Sequence, residues 1–563
     1  MKELKVIKRT RAQESTSAIE RIYVTMRHLF NRGFYKPMGV SGKALREALL
    51  TLRPEIYGSI REEKAELQGL MYVMDRLPEG IDACRFINLT SDEGYKNSHF
   101  KVIIPPKRRR NCYRIDEEQM NIEITRGKSD IYDILTHLTF LYIESYKIIE
   151  KVVIDEQGTL TRDWEKLEDI LLNNEELTPE LVEKALVHCA SCLGRTFQEL
   201  KNVYPSFSLP GNPHRLLWII YNLGRLAIDE VVNNNKRVIT FSPVLRERIG
   251  HHIHGERWAL DIKEVLYKND LIKRPLHIIS ANMHSVMNTL FAKKVLGEKL
   301  DSSNKYDIYE ALSDESNEEL RNKVFATAQK HGMFYIPDRS GTNINVQVFD
   351  TSKLPNATEL FNSKALEETP VIVVMDYAFG EQAFETMDEL LRPYEIGDDK
   401  QFMNVKSVSI MGKAGILEGG KGDIMIPTAH VFEGTADNYP LKNEITAANL
   451  TEYGIDTYTG SMISVLGTSL QNKDVLSFFQ KSTWNVIGLE MEGAHYQKAI
   501  QAASRIRGSI SPQVKVRYAY YASDNPLETG STLASGGLGT SGVKPTYAIT
   551  DVIIKQILKQ ENE

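Results

Sequence analysis

Cysteine is scarce in this chain, four residues in 563, at positions 84, 112, 189 and 192. A fold stapled by disulfides is excluded, and so low a count points to a reducing compartment. Long apolar runs are missing as well. No uncharged stretch reaches the ~18 residues that would span a bilayer. Even the greasy segment 135–153 is broken by Glu144, Lys147, Glu150 and Lys151. The opening residues Met1 to Arg9 lack the apolar centre of a secretory signal. A cytoplasmic protein without membrane attachment is therefore expected. Positive charge is not in excess either: 69 Lys and Arg stand against 75 Asp and Glu, a net charge of −6. No basic face for nucleic acid is indicated. What remains is the composition of a globular protein, 42% apolar and 26% charged. The length exceeds what one hydrophobic core normally serves, so two or more domains are expected.

The texture changes near residue 270. Residues 1–270 read as a mainly helical domain. Ile19, Ile22, Tyr23, Met26 and Phe30 recur at helical spacing and stop at Gly33. A second helical stretch covers 131–153 and a third 216–231. Thr178-Pro179-Glu180 reads as a cap, a first-turn proline and a dipole-favoured acid, opening a helix to about Leu200. Residues 271–563 alternate strands with helices: 276–280, 333–336, 344–349, 371–375, 405–411, 424–431, 462–466, 486–489 and 514–522 are the strand candidates. Such alternation predicts an α/β domain, a mixed sheet covered by helices.

Several local patterns carry little chemistry. Ser41-Gly42-Lys43 lacks the glycine spacing of a phosphate loop. Cys189 and Cys192 have metal spacing, but no second ligand pair accompanies them. They read as a buried helical pair, and the histidines at 251, 252 and 254 likewise lack a ligand cluster. No metal and no cofactor is expected. Lys107 to Arg110 is a basic run between two short strand candidates. It reads first as a solvated loop and second as a phosphate or acidic-partner site.

The stretch 485–526 is different. A buried strand, Val486 to Leu489, delivers Glu490 and Glu492 at its end, with Gly493 and Ala494 allowing close packing behind them. The apolar run 514–522 carries Ser523 and Asp524 at its own end. Ligands of open α/β sheets sit beyond the carboxyl ends of strands. Neighbouring strands would thus offer Glu492 and Asp524 to one crevice. Paired carboxyls suit cleavage of an N-glycosidic bond, one stabilising an oxocarbenium-like sugar and the other, protonated, donating to the departing base. A free Asp titrates near ~3.9, so Asp524 needs burial to act as an acid.

Glu490-Met491-Glu492 with a small-residue helix behind it, followed by Ser523-Asp524-x-Pro526-Leu527-x-x-Gly530, resembles the nucleoside phosphorylase and nucleosidase superfamily, most of all AMP nucleosidases. Three further blocks in the same order resemble it too: Ile278 to His284, Pro370 to Glu381, and Gly412-Lys413-Ala414-Gly415 with Gly422-Asp423. The resemblance covers about 272–558. It implies that Glu492 grips the ribose hydroxyls, Met491 packs on the sugar, and Asp524 protonates the purine with Ser523 beside it. It places Glu490 in the same motif, and Gly380, Gly412, Asn282 and His284 at turns around the site. Homo-oligomers are the rule in that superfamily, so one is expected here.

This chain departs from the pattern at several positions. Ile410 stands where hexameric phosphorylases have an arginine, which favours water over phosphate as nucleophile. Lys413 replaces a serine or histidine and suits either a substrate 5′-phosphate or an internal ion pair. Leu470 stands near where nucleosidases stack an aromatic on the base, and Ser285 and Glu433 replace arginines of AMP nucleosidases. The implied reaction is hydrolysis of a purine nucleotide or nucleoside to free base and sugar. The alternatives are a phosphate-dependent phosphorylase and a non-catalytic nucleotide-binding scaffold. Gly530 to Gly542, rich in glycine and serine, reads as a mobile lid or a hydrogen-bonding loop over the crevice, or else as a plain flexible connection.

Overall fold

The computed structural model describes residues 9–296, 306–361, 365–435, 437–528 and 539–559. Most of the glycine–serine stretch after Gly530 lies outside them. The chain forms two compact units. One comprises 1–125, 130–251 and 469–475, and the other comprises 126–129, 252–468 and 476–563.

The first unit is mainly helical, as its periodicity predicts, and also holds a six-stranded sheet. Its opening helix, Arg11–Arg32, starts at a reciprocal cap between Thr10 and Gln13 and ends at Gly33, whose φ of 86° only glycine adopts freely. The helix opened by Thr178 ends at Leu193, earlier than its apolar spacing suggested. Gly194 turns left-handed there, and Thr196 caps a separate helix, Phe197–Phe207. The sheet runs in the order Phe34–Tyr35, Val238–Phe241, Phe86–Thr90, Gln119–Glu123, Cys112–Arg114, Val102–Ile103. The four cysteines are free and buried. Among the described residues no helix is long and apolar enough to cross a membrane.

The second unit is a mixed α/β body. Leu276–Ser280 and Val371–Met375 are fully buried strands, paired in parallel. Leu276–Ser280 also pairs in parallel with Val405–Ile416. Antiparallel strands Val346–Asp350 and Met333–Ile336 extend the far edge. On the other side the sheet closes on itself. Val405–Ile416 pairs with Lys515–Asp524, which pairs with Ile424–Phe432. That strand pairs with Thr457–Ser464, then Val486–Glu490, which returns to Val405–Ile416. Closure leaves these five strands with few free edges. Helices Ser285–Leu296 and Val543–Lys559 bury Val286, Phe291, Ile549 and Ile553 against one face. Helices Ile253–Lys268, Gln382–Leu390 and Gly493–Gln501 cover the other with Ile262, Met387 and Tyr496.

One topological expectation is corrected. The strands bearing Glu490 and Asp524 are not neighbours, because Val405–Ile416 runs between them. Its Gly415 pairs with Leu489 on one side and Asp524 on the other. Two strand spacings, roughly 10 Å, therefore separate those backbones.

Candidate active site

A cavity of about 250 Å³ opens beyond the carboxyl ends of the Leu276 and Val371 strands. Residues Ile410 to Ala414 line one side of it, Leu489 to Glu492 another, and Tyr377, Tyr496, Tyr520 and Tyr521 add aromatic rings to the lining. Of the residues singled out in the sequence, Glu490, Met491, Glu492, Gly412 and Lys413 line it.

Glu490 is an anchor. Its carboxylate accepts the N–H groups of Glu492 and Gly493 at the start of helix Gly493–Gln501, and the hydroxyl of Ser464. Ser464 in turn accepts the Ala494 N–H at 2.8 Å. A helix N-terminus favours such an acceptor, yet burial lifts the Glu490 carboxyl to about 7. Glu492 faces the cavity. Its Oε1 accepts the Gly380 N–H at 2.9 Å. Burial, then the charge of Glu490, pushes its carboxyl up to about 8, while Arg126 pulls it down.

Gly380 earns its place by geometry. Its φ is 56°, and a β-carbon there would collide with the Ser129 hydroxyl. That hydroxyl is fixed, because it accepts the Glu381 N–H at 2.8 Å. The same short segment places the Lys128 ammonium 3.4 Å from Glu381 and lays the Arg126 guanidinium over the Phe379 ring at 4.7 Å. Arg126 to Ser129 carries no local motif and lies some 250 positions from Gly380 in sequence, so sequence reading missed it. The tyrosines were missed for another reason. Tyr518-Ala519-Tyr520-Tyr521 reads as an apolar strand, and only its register places Tyr520 and Tyr521 at the cavity.

Asp524 does not itself line this cavity; its neighbour in charge, Lys413, does. Ser523 Oγ donates to Asp524 Oδ1 at 2.5 Å and also lies 3.2 Å from the Ala414 carbonyl oxygen. Asp524 Oδ2 is buried with no hydrogen-bond partner among the described residues. Burial raises its carboxyl above the usual range, against the pull of Ser523, Lys413 and Lys421. A buried oxygen left open this way is a proton carrier or a donor-seeking acceptor.

Other expected site residues sit further out. Asn282 Oδ1 accepts the backbone N–H groups of His284 and Ser285 at 3.1 and 2.8 Å, capping helix Ser285–Leu296. Neither Asn282 nor His284 lines the cavity, although Asn282 backbone contacts Tyr377, which does. Leu470 is buried and counted with the first unit; Thr468 occupies the cavity wall instead. Glu433 is buried with its carboxyl raised to about 7. Among the described residues, His252, Asp388 and Glu389 form the one group whose ligand atoms lie within 4.8 Å of each other. Asp388 is already paired with Arg507 at 2.7 Å and Arg392 at 3.2 Å, and Glu389 with Arg392 at 3.3 Å. Arginine thus already compensates those charges.

No curated protein matches the sequence. Solved structures resemble its shape loosely. A futalosine hydrolase mutant of Helicobacter pylori strain 26695 aligns at 14% identity and a TM-score of 0.28, over 51% of this chain and 99% of that one. The Campylobacter jejuni 5′-methylthioadenosine/S-adenosyl homocysteine nucleosidase aligns at 12% identity and a TM-score of 0.30, over 51% and 99%. AMP nucleosidase from Bacteroides thetaiotaomicron VPI-5482 aligns at 13% identity and a TM-score of 0.28, over 54% and 99%. Likeness at this level fixes no activity for this chain. The family model described as "Family of unknown function (DUF6909)" matches residues 43–299 and 305–559. The chain belongs to that family, DUF6909.

Proposed function

We propose that the second unit hydrolyses the N-glycosidic bond of a purine nucleotide or nucleoside, releasing the free base. The observation that carries this reading is the Glu492 carboxyl, held by the Gly380 N–H on the wall of a cavity bounded by tyrosines. In this account Glu492 accepts from the ribose hydroxyls and, ionised, stabilises positive charge building on the sugar. Met491 packs on the sugar. Asp524, protonated at its open Oδ2, donates to the ring nitrogen of the leaving base, and Ser523 orients it. Lys413 meets a 5′-phosphate. Ile410 in the cavity lining offers no cation to inorganic phosphate, which supports water as the nucleophile. A homo-oligomer is part of the proposal, by family resemblance. The test is a panel of AMP, adenosine, inosine and methylthioadenosine, with and without phosphate, read as released base. Phosphate-independent release from at least one supports the reading; no release from any overturns it.

Two variants probe the support of Glu492. Gly380→Ala forces a left-handed alanine, at ~1 kcal/mol, and drives its methyl into Ser129. The turn must move and take its N–H from Glu492. Turnover is expected to fall about a hundredfold, the order that a ~1 Å misplacement produces, with KM changed less. Arg126→Gln should act through pH. Removing the cation raises the Glu492 carboxyl above its present value of about 8, so the ascending limb of kcat/KM against pH moves to higher pH. A limb that stays in place would mean that Arg126 does not act on Glu492.

A further inference from the structure

Away from the cavity, the first unit holds an arginine with no ion-pair partner within 4 Å among the described residues, Asp133 and Asp75 acting on it only from further off. Arg76 is only 9% exposed, and its guanidinium stacks on the Tyr72 ring at 3.3 Å. Its Nη1 donates to the Tyr72 carbonyl at 2.9 Å, while its Nε has no partner. Two other orphans adjoin it. The Tyr72 hydroxyl is buried without a partner, and so are both ring nitrogens of His137, a fully buried side chain. The Tyr72 and His137 rings are 5.9 Å apart. Asp133 approaches His137 Nδ1 only to 3.5 Å, and it is already gripped by Arg108 at 2.8 and 2.7 Å. Arg110 is held by Asp130 at 2.9 Å as well as by Asp133. Arg108 and Arg110 thus take the ion-pair contacts of Asp130 and Asp133, Arg76 has none of its own at that range, and His137, lowered to about 3 chiefly by burial, adds no charge.

A buried charge without a close partner is costly, and each orphaned donor adds to that cost. A neutral ligand would satisfy the donors but leave the charge. We propose that Arg76, Tyr72 and His137 form a binding site for a small oxyanion of the phosphate class. Its oxygens would accept from the Arg76 fork, the Tyr72 hydroxyl and a His137 N–H, the charge-assisted geometry that arginine favours. Within the basic run 107–110, Arg108 and Arg110 are structural, held by Asp133 and Asp130.

The test is equilibrium dialysis of the full chain against inorganic phosphate, in a Lys413→Ala background so that the cavity of the second unit does not contribute. One saturable phosphate per chain is expected. Arg76→Gln should weaken it at least tenfold, and Tyr72→Phe, which removes only a hydroxyl, severalfold. Phosphate should raise the Tm of the background protein and not of the Arg76→Gln protein. A parallel titration with glycerol phosphate separates free phosphate from a phosphomonoester as the preferred source. Absence of saturable binding, or binding untouched by both Arg76→Gln and Tyr72→Phe, would overturn the site. Should Arg76→Gln fail to fold, Tyr72→Phe alone decides.

Discussion

Asp524→Asn is expected to reduce turnover about a thousandfold, within the ~10²–10⁴ range of general acid catalysis, while the protein stays folded. The amide keeps an oxygen for the Ser523 hydroxyl, which now donates to Asp524 Oδ1. It places a non-transferable N–H where the open Oδ2 stands. Substrate affinity should change little, because the variant removes a proton transfer and not a surface. Stability gives the control. The folded Asp524 carboxyl is raised above its ordinary value of 3.8. That group therefore stabilises the fold fully below the unfolded pKa, and its contribution is lost as pH rises through the folded pKa. At neutral pH the asparagine protein should melt no lower than the parent. A thousandfold loss with a large drop in Tm would instead mark Asp524 as a structural residue.

Glu492→Gln is the second large effect. The expected loss is about a hundredfold to a thousandfold in kcat, the scale for removing a preorganised electrostatic partner of the transition state. Again the pH dependence separates roles. Burial and Glu490 hold the Glu492 carboxyl near 8 against an ordinary 4.5. The unfolded chain gives up this proton first, so wild-type stability declines as pH rises from the unfolded value through about 8. The glutamine protein has no such group, and its Tm advantage over wild type should grow across that window. Thermal melts at pH 5 and pH 8.5 measure it. An advantage that shrinks with pH would contradict the assigned burial of Glu492.

Much of the fold was legible because its strands are extreme. Leu276–Ser280 and Val371–Met375 are buried at every position, and each short apolar run opens directly after a proline, Pro275 or Pro370, which favours a buried strand. Gly33 and Thr178 marked helix ends because caps are local chemistry. What escaped was non-local. Closure of five strands into a ring depends on pairings from tens to about a hundred positions apart, so the interposed Val405–Ile416 strand left no trace beside Glu490 or Asp524. The same holds for the site. Glu492 and Met491 were visible because a strand end and a small-residue helix occur together. The Arg126–Ser129 support of Gly380 was invisible, since nothing in a four-residue segment announces a partner so distant. Asn282 carries a local signal of another kind: an Asn two and three positions before the amides it accepts is a helix cap by local geometry.

The common service of two carboxyls to one sugar and one purine is tested most directly by the crystal structure of the Asp524→Asn protein soaked with the purine nucleotide or nucleoside that the substrate panel selects. The account predicts intact ligand in the tyrosine-walled cavity, ribose hydroxyls on the Glu492 carboxylate, and a purine ring nitrogen facing residue 524. Ligand bound elsewhere, or ribose directed away from Glu492 with the base remote from 524, would contradict it.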